Sequence, residues 1–379
     1  MRKLHYWTFL SALALSACGG GGGGGSDPEG VPGGANGDSG GSTGGSGVAV
    51  GTSQFEAPAG MTSRIGLGHG DAYTYESVTE VYGNGSNAAP TSSNRVVYTE
   101  TVNNPKADLS FESIITNSLN VTDGFKTSAL FSKTAAYEST ENRVSNCTYK
   151  NGQFNPGHQP FVGQTWKSTV EFVCIGKHNG SKSTLITEME SKVTAKEIVT
   201  TPVGNFTAFK VESNRENRTV EYESTRIFLN YVCWYDEITG QRVACDTARR
   251  NGSQSGLIES KTKHYLIGID VKNHPIKKHS ALRFLGFWDV VFADKSTCLV
   301  SATEVRNSSN VKLEGNCKDY AGQNGLLTGS VSPNGEVNAM INGELSPVTG
   351  NLTSFSGSGS ANYGRGHQTW SATYYQLPL

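Results

Sequence analysis

The chain has 379 residues, and its 32 lysine and arginine residues nearly balance its 33 aspartate and glutamate residues, for a formal net charge of −1 at pH 7. This balance argues against charge-driven binding to nucleic acid or to an anionic membrane surface, so no nucleic-acid partner is expected. The length is sufficient for two folded domains with apolar cores.

The first 17 residues have the features of an export signal. A basic start, Met1-Arg2-Lys3, precedes an apolar run from Leu4 to Ala14 that is too short to cross a bilayer as a helix. The sequence Leu15-Ser16-Ala17-Cys18 then resembles the lipobox of bacterial lipoproteins. The resemblance implies cleavage before Cys18, acylation of that cysteine with fatty acids such as palmitate, and a permanent lipid anchor. Gly19, in place of aspartate, favours the outer membrane of a Gram-negative cell. The alternative is an ordinary secretory signal followed by a chance cysteine.

Residues 18–52 have the composition of a tether. Gly19 to Gly25 are all glycine, and the segment stays rich in glycine and serine as far as Thr52. It buries too little apolar surface to offset the entropy cost of ordering, so we expect a flexible coil. A coil of this composition has a root-mean-square reach of roughly 30 to 35 Å, which would carry the folded part clear of the lipid headgroups.

Six cysteines remain once Cys18 is set aside, and their positions predict disulfides. Sequence alone does not fix how six cysteines pair. They nevertheless fall as neighbouring couples in three separate strand–turn–strand regions, and an exported chain folds under oxidising conditions. We therefore predict the pairs Cys147–Cys174, Cys233–Cys245 and Cys298–Cys317. The alternative is a metal site, but no couple has the two-residue spacing of a zinc knuckle, and no metal or cofactor is expected.

Residues 53–270 predict a β-sheet domain, because apolar and polar residues alternate along many short segments. From Trp166 to Cys174 the large apolar residues share one face, while Lys167 and Glu171 share the other. A second long strand is predicted from Val220 to Tyr235, and Asp236 to Gly240 would turn the chain back on itself.

Two motifs in this domain resemble a group of bacterial envelope proteins. They are Gly163-Gln164-Thr165-Trp166 and the segment Glu197 to Val211, which follows the pattern E-x-V-x-T-P-x-G-x-F-x-A-x-x-V. Residues of about 140–270 are similar in this respect to DUF3108-type and lipoprotein-carrier-like proteins, which implies a curved sheet or half-barrel. Pro202 favours a turn and Gly204 permits the positive φ that follows it. The second cysteine couple interrupts the family pattern, so no specific role is carried over.

The remaining chain predicts a linker and a second, smaller domain. Residues 271–280 are polar, basic and contain a proline, which is typical of a linker. Residues 281–379 predict a compact meander with a hairpin turn at Pro333-Asn334-Gly335. Its expected strands are 287–292, 298–305, 311–317, 326–331, 336–341 and 368–376. The opening and closing strands are similar in outline to those of lipocalin-like or avidin-like modules and of barrels in Gram-negative surface lipoproteins.

The predicted fold class is therefore all-β: a curved antiparallel sheet or half-barrel followed by a small C-terminal antiparallel β-barrel or meander. Closure of the second domain would remove exposed strand edges.

The histidines give little indication of chemistry. His264, His274 and His279 lie around the linker but fit no common strand face, so we expect solvated side chains rather than a metal site. His69 follows glycine and precedes Gly70-Asp71, yet a general base needs a nucleophile within hydrogen-bond reach, and the sequence indicates none.

The serines and glutamates also predict no catalytic residue. The serines of 252–256 and 357–360 are not at the centre of a G-x-S-x-G motif and are interpreted as turns. Glu188, Glu190 and Glu197 alternate along a predicted strand, which indicates a solvated face rather than a pair of catalytic carboxylates.

These observations favour a non-catalytic, membrane-anchored envelope lipoprotein that presents β-modules for binding or structural roles at the outer membrane or cell surface. Its partner would be an envelope or extracellular protein or an apolar ligand. The first alternative is a periplasmic carrier or chaperone of an apolar ligand on the curved sheet. The second is a hydrolase of unfamiliar type, in which His69, a serine and an acid would converge in space.

Overall fold

A computed structural model describes residues 68–83, 89–105, 111–117, 126–131, 137–141, 145–150, 160–220, 222–272, 276–306, 308–343, 347–353 and 355–375. The predicted signal peptide, the tether and Cys18 lie outside these ranges. No helix within these ranges has the length and apolar character needed to cross a membrane.

The described chain consists almost entirely of antiparallel strands, which confirms the predicted all-β fold class. The strands are β1 (Ala72–Val81), β2 (Ser92–Asn103), β3 (Phe111–Asn117), β4 (Lys126–Phe131), β5 (Tyr137–Glu141), β6 (Ser145–Lys150), β7 (Thr165–Gly176), β8 (Lys182–Thr201), β9 (Gly204–Thr219), β10 (Tyr222–Asp236), β11 (Arg242–Asn251), β12 (Ile258–Val271), β13 (Ile276–His279), β14 (Gly286–Phe292), β15 (Thr297–Glu304), β16 (Val311–Lys318), β17 (Asn324–Val331), β18 (Glu336–Ile341), β19 (Pro347–Leu352), β20 (Ser356–Asn362) and β21 (His367–Tyr375). A 3-10 helix spans Ala281–Phe284.

The first sheet contains β1 to β13 in chain order and closes on itself, because β1 pairs with both β2 and β12. Tyr75 of β1, for example, faces Tyr98 on β2 and Leu266 on β12. The predicted curved sheet is thus confirmed, and the β1–β12 pairing closes it beyond a half-barrel. This closure gives β1 two hydrogen-bonded neighbours, so its edges are not open to other chains.

The β8–β9 hairpin has the predicted turn and extends past the ends of its neighbours. Thr201 pairs with Gly204 across a two-residue turn, and Gly204 has a φ of 133°, which favours glycine. A register shift between Val193 and Ala195 bends β8 before the tip. Phe206, close after the turn, is fully buried in the core of the first sheet, so the tip of the hairpin packs onto that core.

Three disulfides join directly opposed residues on neighbouring strands. They are Cys147–Cys174, Cys233–Cys245 and Cys298–Cys317, with Cα–Cα distances of 4.0, 4.0 and 3.9 Å. These are the same couples that the sequence predicts. Structural disulfides form in oxidising compartments, so the cysteine pairing indicates a location outside the cytoplasm.

The second domain is a closed barrel of eight strands, β14 to β21. All six strands expected there are present, but β19 and β20 were not predicted. The interpretation of 357–360 as a turn is wrong, because these residues lie in β20. Gly359 faces Trp370 on β21, and a Cβ at Gly359 would come within 2.7 Å of the indole ring. The glycines of β20 therefore provide space for the Trp370 side chain. In the sequence alone, the same glycines look like the composition of a turn.

The segment predicted as a linker contains regular structure. β13 pairs with the end of β12, and the 3-10 helix follows directly, with Ser280 capping Leu282 N–H. Phe284 of this helix is fully buried in the core of the second barrel. The chain between the domains is therefore in contact with both, while the exact domain boundaries stay a prediction.

Candidate functional site

The main candidate site is a cleft of about 430 Å³ on the outer face of four adjacent strands, β7 to β10. Two cross-strand rows line it, and each row takes one residue from each strand. The first row is Lys167, Glu190, Asn214 and Asn230, and the second is Thr169, Glu188, Glu216 and Phe228. Gln254, from the turn between β11 and β12, also lines the cleft, as do the residues between the two rows: Ser168, Met189, Arg215 and Leu229.

Strand alternation places these side chains on the outside. Met189 and Arg215, which neighbour the row residues along β8 and β9, are buried on the opposite face. The predicted solvated face of Glu188 and Glu190 is confirmed, since both are exposed. Sequence analysis did not bring Asn214 and Phe228 into one site with Lys167, because Lys167 on β7 joins them only through the register of four strands.

Each carboxylate in the cleft has a cationic partner. Glu190 lies 3.1 Å from Lys167 Nζ, Glu188 lies 3.3 Å from Arg218 Nη2, and Glu216 lies 3.1 Å from Arg226 Nη1. These pairs are largely exposed, so each contributes little to stability. Their effect on the cleft is to neutralise its charge, which lowers the attraction for strongly charged ligands.

A chain of hydrogen bonds fixes the orientation of the two asparagines in the cleft. Arg250 donates to Asn230 Oδ1, and Asn230 Nδ2 donates to Asn214 Oδ1 at 2.5 Å. A guanidinium group only donates, so Asn230 must direct its oxygen to Arg250 and its amide N–H to Asn214. Asn214 therefore uses its oxygen within the chain and keeps its NH2 group as a donor.

A second polar cluster lies inside the first sheet. Ser113 Oγ donates to Glu100 Oε1 at 3.0 Å, and Arg242 Nη2 donates to Tyr98 Oη at 2.5 Å. The guanidinium of Arg242 also lies 5.3 Å from the centre of the Tyr75 ring. Burial raises the pKa of Glu100 to about 6, although Arg242 and the Ser113 hydrogen bond act in the opposite direction.

His264 belongs to this buried region, and the expectation that it is solvated is wrong. Only 2% of its surface is exposed, because β12 directs it to the inside of the closed sheet, 6.4 Å from Tyr98 between ring centres. Burial, together with nearby Arg242, lowers its pKa well below the usual value. The closure that covers His264 depends on β1, which is far away in the sequence.

His279 lies on β13 and is partly buried. Burial, reinforced by Arg283, lowers its pKa to about 4. His274 lies outside the described residues. Across the described ranges, no three residues of histidine, cysteine, aspartate or glutamate come together in a way that would hold a metal ion.

His69 is exposed in the turn before β1. The neighbouring carboxylate of Asp71 is buried and accepts hydrogen bonds from the backbone N–H groups of Gly68 at 2.7 Å and Lys272 at 2.8 Å. Both carboxylate oxygens thus bind backbone, and Asp71 holds two segments of the first sheet together.

The second barrel has a packed interior. A cavity of about 30 Å³ lies among its apolar side chains, including Trp288, Leu327 and Trp370. This volume is close to the space that one water molecule occupies, and it is too small for a lipid or another carried ligand.

The chain has few detectable similarities to known proteins. No protein-family model matches it, and no curated protein matches it. A solved structure of a candidate exported protein with YmcC-like fold from Bacteroides fragilis is similar in part, with 12% identity and a TM-score of 0.34. The alignment covers 55% of this chain and 99% of that protein.

Proposed function

We propose that the chain is a lipid-anchored envelope protein that binds its partner without catalysis, through the cleft on β7 to β10. The observation that carries the anchoring is the pairing of the cysteines. Six of the seven form disulfides with one another, which leaves no cysteine partner for Cys18 at the end of the lipobox. Acylation of this remaining thiol, followed by the glycine-rich tether, would hold the folded domains near the membrane.

Binding at the cleft is favoured over transport of an apolar ligand. The cavity found in the second barrel is only about 30 Å³. In the first sheet, Tyr73, Tyr75 and Phe206 are almost fully buried and fill the core on the inner face of the strands. The outer cleft, at about 430 Å³, is in the size range of sites for small ligands.

Binding is also favoured over hydrolysis. A general acid or base must direct a free carboxyl or imidazole group at the substrate. In the cleft, Glu188, Glu190 and Glu216 are each engaged by a cation. Asp71 is buried and accepts backbone N–H groups with both oxygens while His69 is exposed, which supports a structural role for Asp71 rather than a catalytic pairing with His69.

The anchoring is tested by labelling cells that express the full chain with an alkyne analogue of palmitate. We expect the wild-type protein to incorporate the label and to fractionate with membranes. Cys18→Ala should abolish both, whereas Ser26→Ala, in the tether, should change neither. Mass measurement of an unacylated N-terminus on the wild-type protein would contradict the proposal.

A further inference from the structure

We propose that the cleft on β7 to β10 binds an uncharged saccharide chain. This inference rests on the proposed binding function of the same cleft and specifies its ligand class. It depends on three features of the lining: paired charges, amide groups with a fixed orientation, and one aromatic ring.

The paired charges favour a neutral ligand. Lys167, Arg218 and Arg226 each face one of the three cleft carboxylates, at 3.1 to 3.3 Å. A charged ligand of either sign would have to compete with these pairs and would meet like charges beside them. A ligand that offers hydroxyl groups can bind the charged groups without breaking the pairs, because a hydroxyl both donates and accepts.

The amide groups provide directed donors for such hydroxyls. Asn214 is exposed and keeps its NH2 group as a donor, since Asn230 and Arg250 fix the direction of its oxygen. Gln254, which also lines the cleft, adds a second exposed amide. A group that is oriented before binding loses less entropy when the ligand binds.

The aromatic ring provides an apolar surface of the right type. Phe228 is partly buried and occupies the same row as Glu188 and Glu216, so an aromatic residue lies directly across from Glu216 in the lining. The face of a phenyl ring carries partial negative charge and attracts the weakly positive C–H groups of a sugar ring. A pyranose offers both C–H groups and hydroxyl groups. An apolar ring next to hydroxyl-binding side chains can therefore contact both.

The shape favours a chain over a single sugar. The lining residues come from four adjacent strands and the cleft is open to solvent, which suits an extended ligand. At about 430 Å³, it has room for a short stretch of saccharide but not for a folded protein.

The test is isothermal titration calorimetry of the purified full-length protein with hexasaccharides and one basic peptide. The uncharged probes are maltohexaose, cellohexaose, xylohexaose, mannohexaose and chitohexaose, and the charged probes are hexagalacturonate and hexalysine. We expect at least one uncharged probe to bind and the charged probes to bind more weakly. Phe228→Ala and Asn214→Ala should each weaken binding about tenfold, the equivalent of one hydrogen bond or ring contact.

Matched controls exist on the second barrel. Leu326→Ala removes an exposed apolar side chain and Asn316→Ala removes an amide, both on outer strand faces. Neither should change binding, and all variants should keep the wild-type circular dichroism spectrum and melting temperature to within a few degrees.

The role of the hydrogen-bond chain is tested by Asn230→Asp. The new carboxylate still accepts from Arg250, but it no longer donates to Asn214, which can then turn its NH2 group towards that carboxylate and away from the ligand. Weaker saccharide binding with an unchanged melting temperature is expected. Equal binding by this variant and the wild type would overturn the assigned orientation.

The outcomes separate this inference from the proposed function. If only hexagalacturonate or hexalysine binds, and Asn214→Ala weakens that binding, the cleft is a binding site but the assignment to an uncharged saccharide is wrong. If no probe binds, or if binding is unaffected by both cleft variants, the saccharide inference is overturned. Loss of acylation at Cys18, measured separately, concerns the anchor alone.

Discussion

Arg95 on β2 donates a hydrogen bond of 2.6 Å from Nη2 to the carbonyl oxygen of Leu282, in the 3-10 helix that precedes the second barrel. Its Nη1 donates to the carbonyl oxygen of Leu285 at 3.2 Å, and its Nε pairs with Glu76 on β1. Phe284, in the same helix, is buried in the second barrel. One guanidinium group therefore links the wall of the first sheet to a segment that belongs to the core of the second barrel.

Replacing Arg95 with alanine should weaken the coupling of the two domains. It removes two hydrogen bonds to carbonyl groups and leaves the largely buried Glu76 without this partner, so we expect a loss of about 1.5 to 3 kcal/mol. Differential scanning calorimetry should resolve two unfolding transitions in Arg95→Ala, one for each domain. In the wild type the same two transitions should overlap more strongly.

The control for this prediction is Arg218→Ala, which removes an exposed ion pair with Glu188. It should change stability by less than about 0.5 kcal/mol and leave the calorimetric profile unchanged. An Arg95→Ala profile that matches the control would show that the connection through Leu282 does not couple the domains.

The Cys298–Cys317 disulfide should stabilise the second barrel independently of the first. The bond joins β15 and β16 across a sequence separation of 19 residues, and closing a loop of that length in the unfolded chain contributes about 3 kcal/mol. The double variant Cys298→Ala, Cys317→Ala should lower the urea midpoint of the barrel by the corresponding amount. The control is reduction with dithiothreitol, which should destabilise the wild type but have no further effect on this barrel in the double variant.

Local sequence patterns predicted individual strands and the cysteine pairs between neighbouring strands, but not the pairing of strands far apart in the sequence. Alternation along Trp166 to Cys174 and the turn at Pro202 are local features, and the structure contains both. The burial of His264 depends on the pairing of β1 with β12, across nearly the whole first sheet. The cleft likewise depends on the register of β7 to β10, which brings Lys167 and Asn230 into one row across four strands. Long-range register is not encoded in any short window of residues.

β20 illustrates a second limit of prediction from local sequence, and it leads to a testable prediction about packing. Glycine lowers strand propensity, so 357–360 looks like a turn, yet Gly359 is needed where Trp370 and the neighbouring strand approach closely. Gly359→Ala would place a methyl group 2.6 Å from Gly350 Cα and 2.7 Å from Trp370 Cε2. We expect a loss of about 1 to 3 kcal/mol, or failure of the barrel to close. Urea unfolding monitored by tryptophan fluorescence measures this loss of stability.

The matched control is Ser358→Ala, one residue away on the outer face of the same strand. This substitution should alter stability by less than about 0.5 kcal/mol. If Gly359→Ala and Ser358→Ala unfold at the same urea concentration, the glycine is not required by the packing of Trp370.

The buried carboxyl of Glu100 should make stability depend on pH between about 4.5 and 6. Its pKa is about 6 in the folded protein against an ordinary value of 4.5, so the folded state binds more protons than the unfolded state in this window. The contribution of Glu100 is therefore fully present below pH 4.5 and is lost as the pH rises through 6, by about 2 kcal/mol in total. Glu100→Gln cannot ionise, and its free energy of unfolding relative to the wild type should rise by this amount over the window.

The comparison should be made as a difference between two urea-unfolding curves at each pH. His264 and His279 have lowered pKa values, which act in the opposite direction and remove stability as the pH falls, but both proteins contain them.

Ser113→Ala supplies a second variant, because the Ser113 hydrogen bond lowers the pKa of Glu100 and its loss should extend the window to higher pH. Glu314→Gln, on the exposed face of β16, should leave the pH profile unchanged. A constant difference between Glu100→Gln and the wild type from pH 4 to 7 would mean that Glu100 ionises equally well in the folded and unfolded chains, and that burial in the closed sheet does not determine its charge.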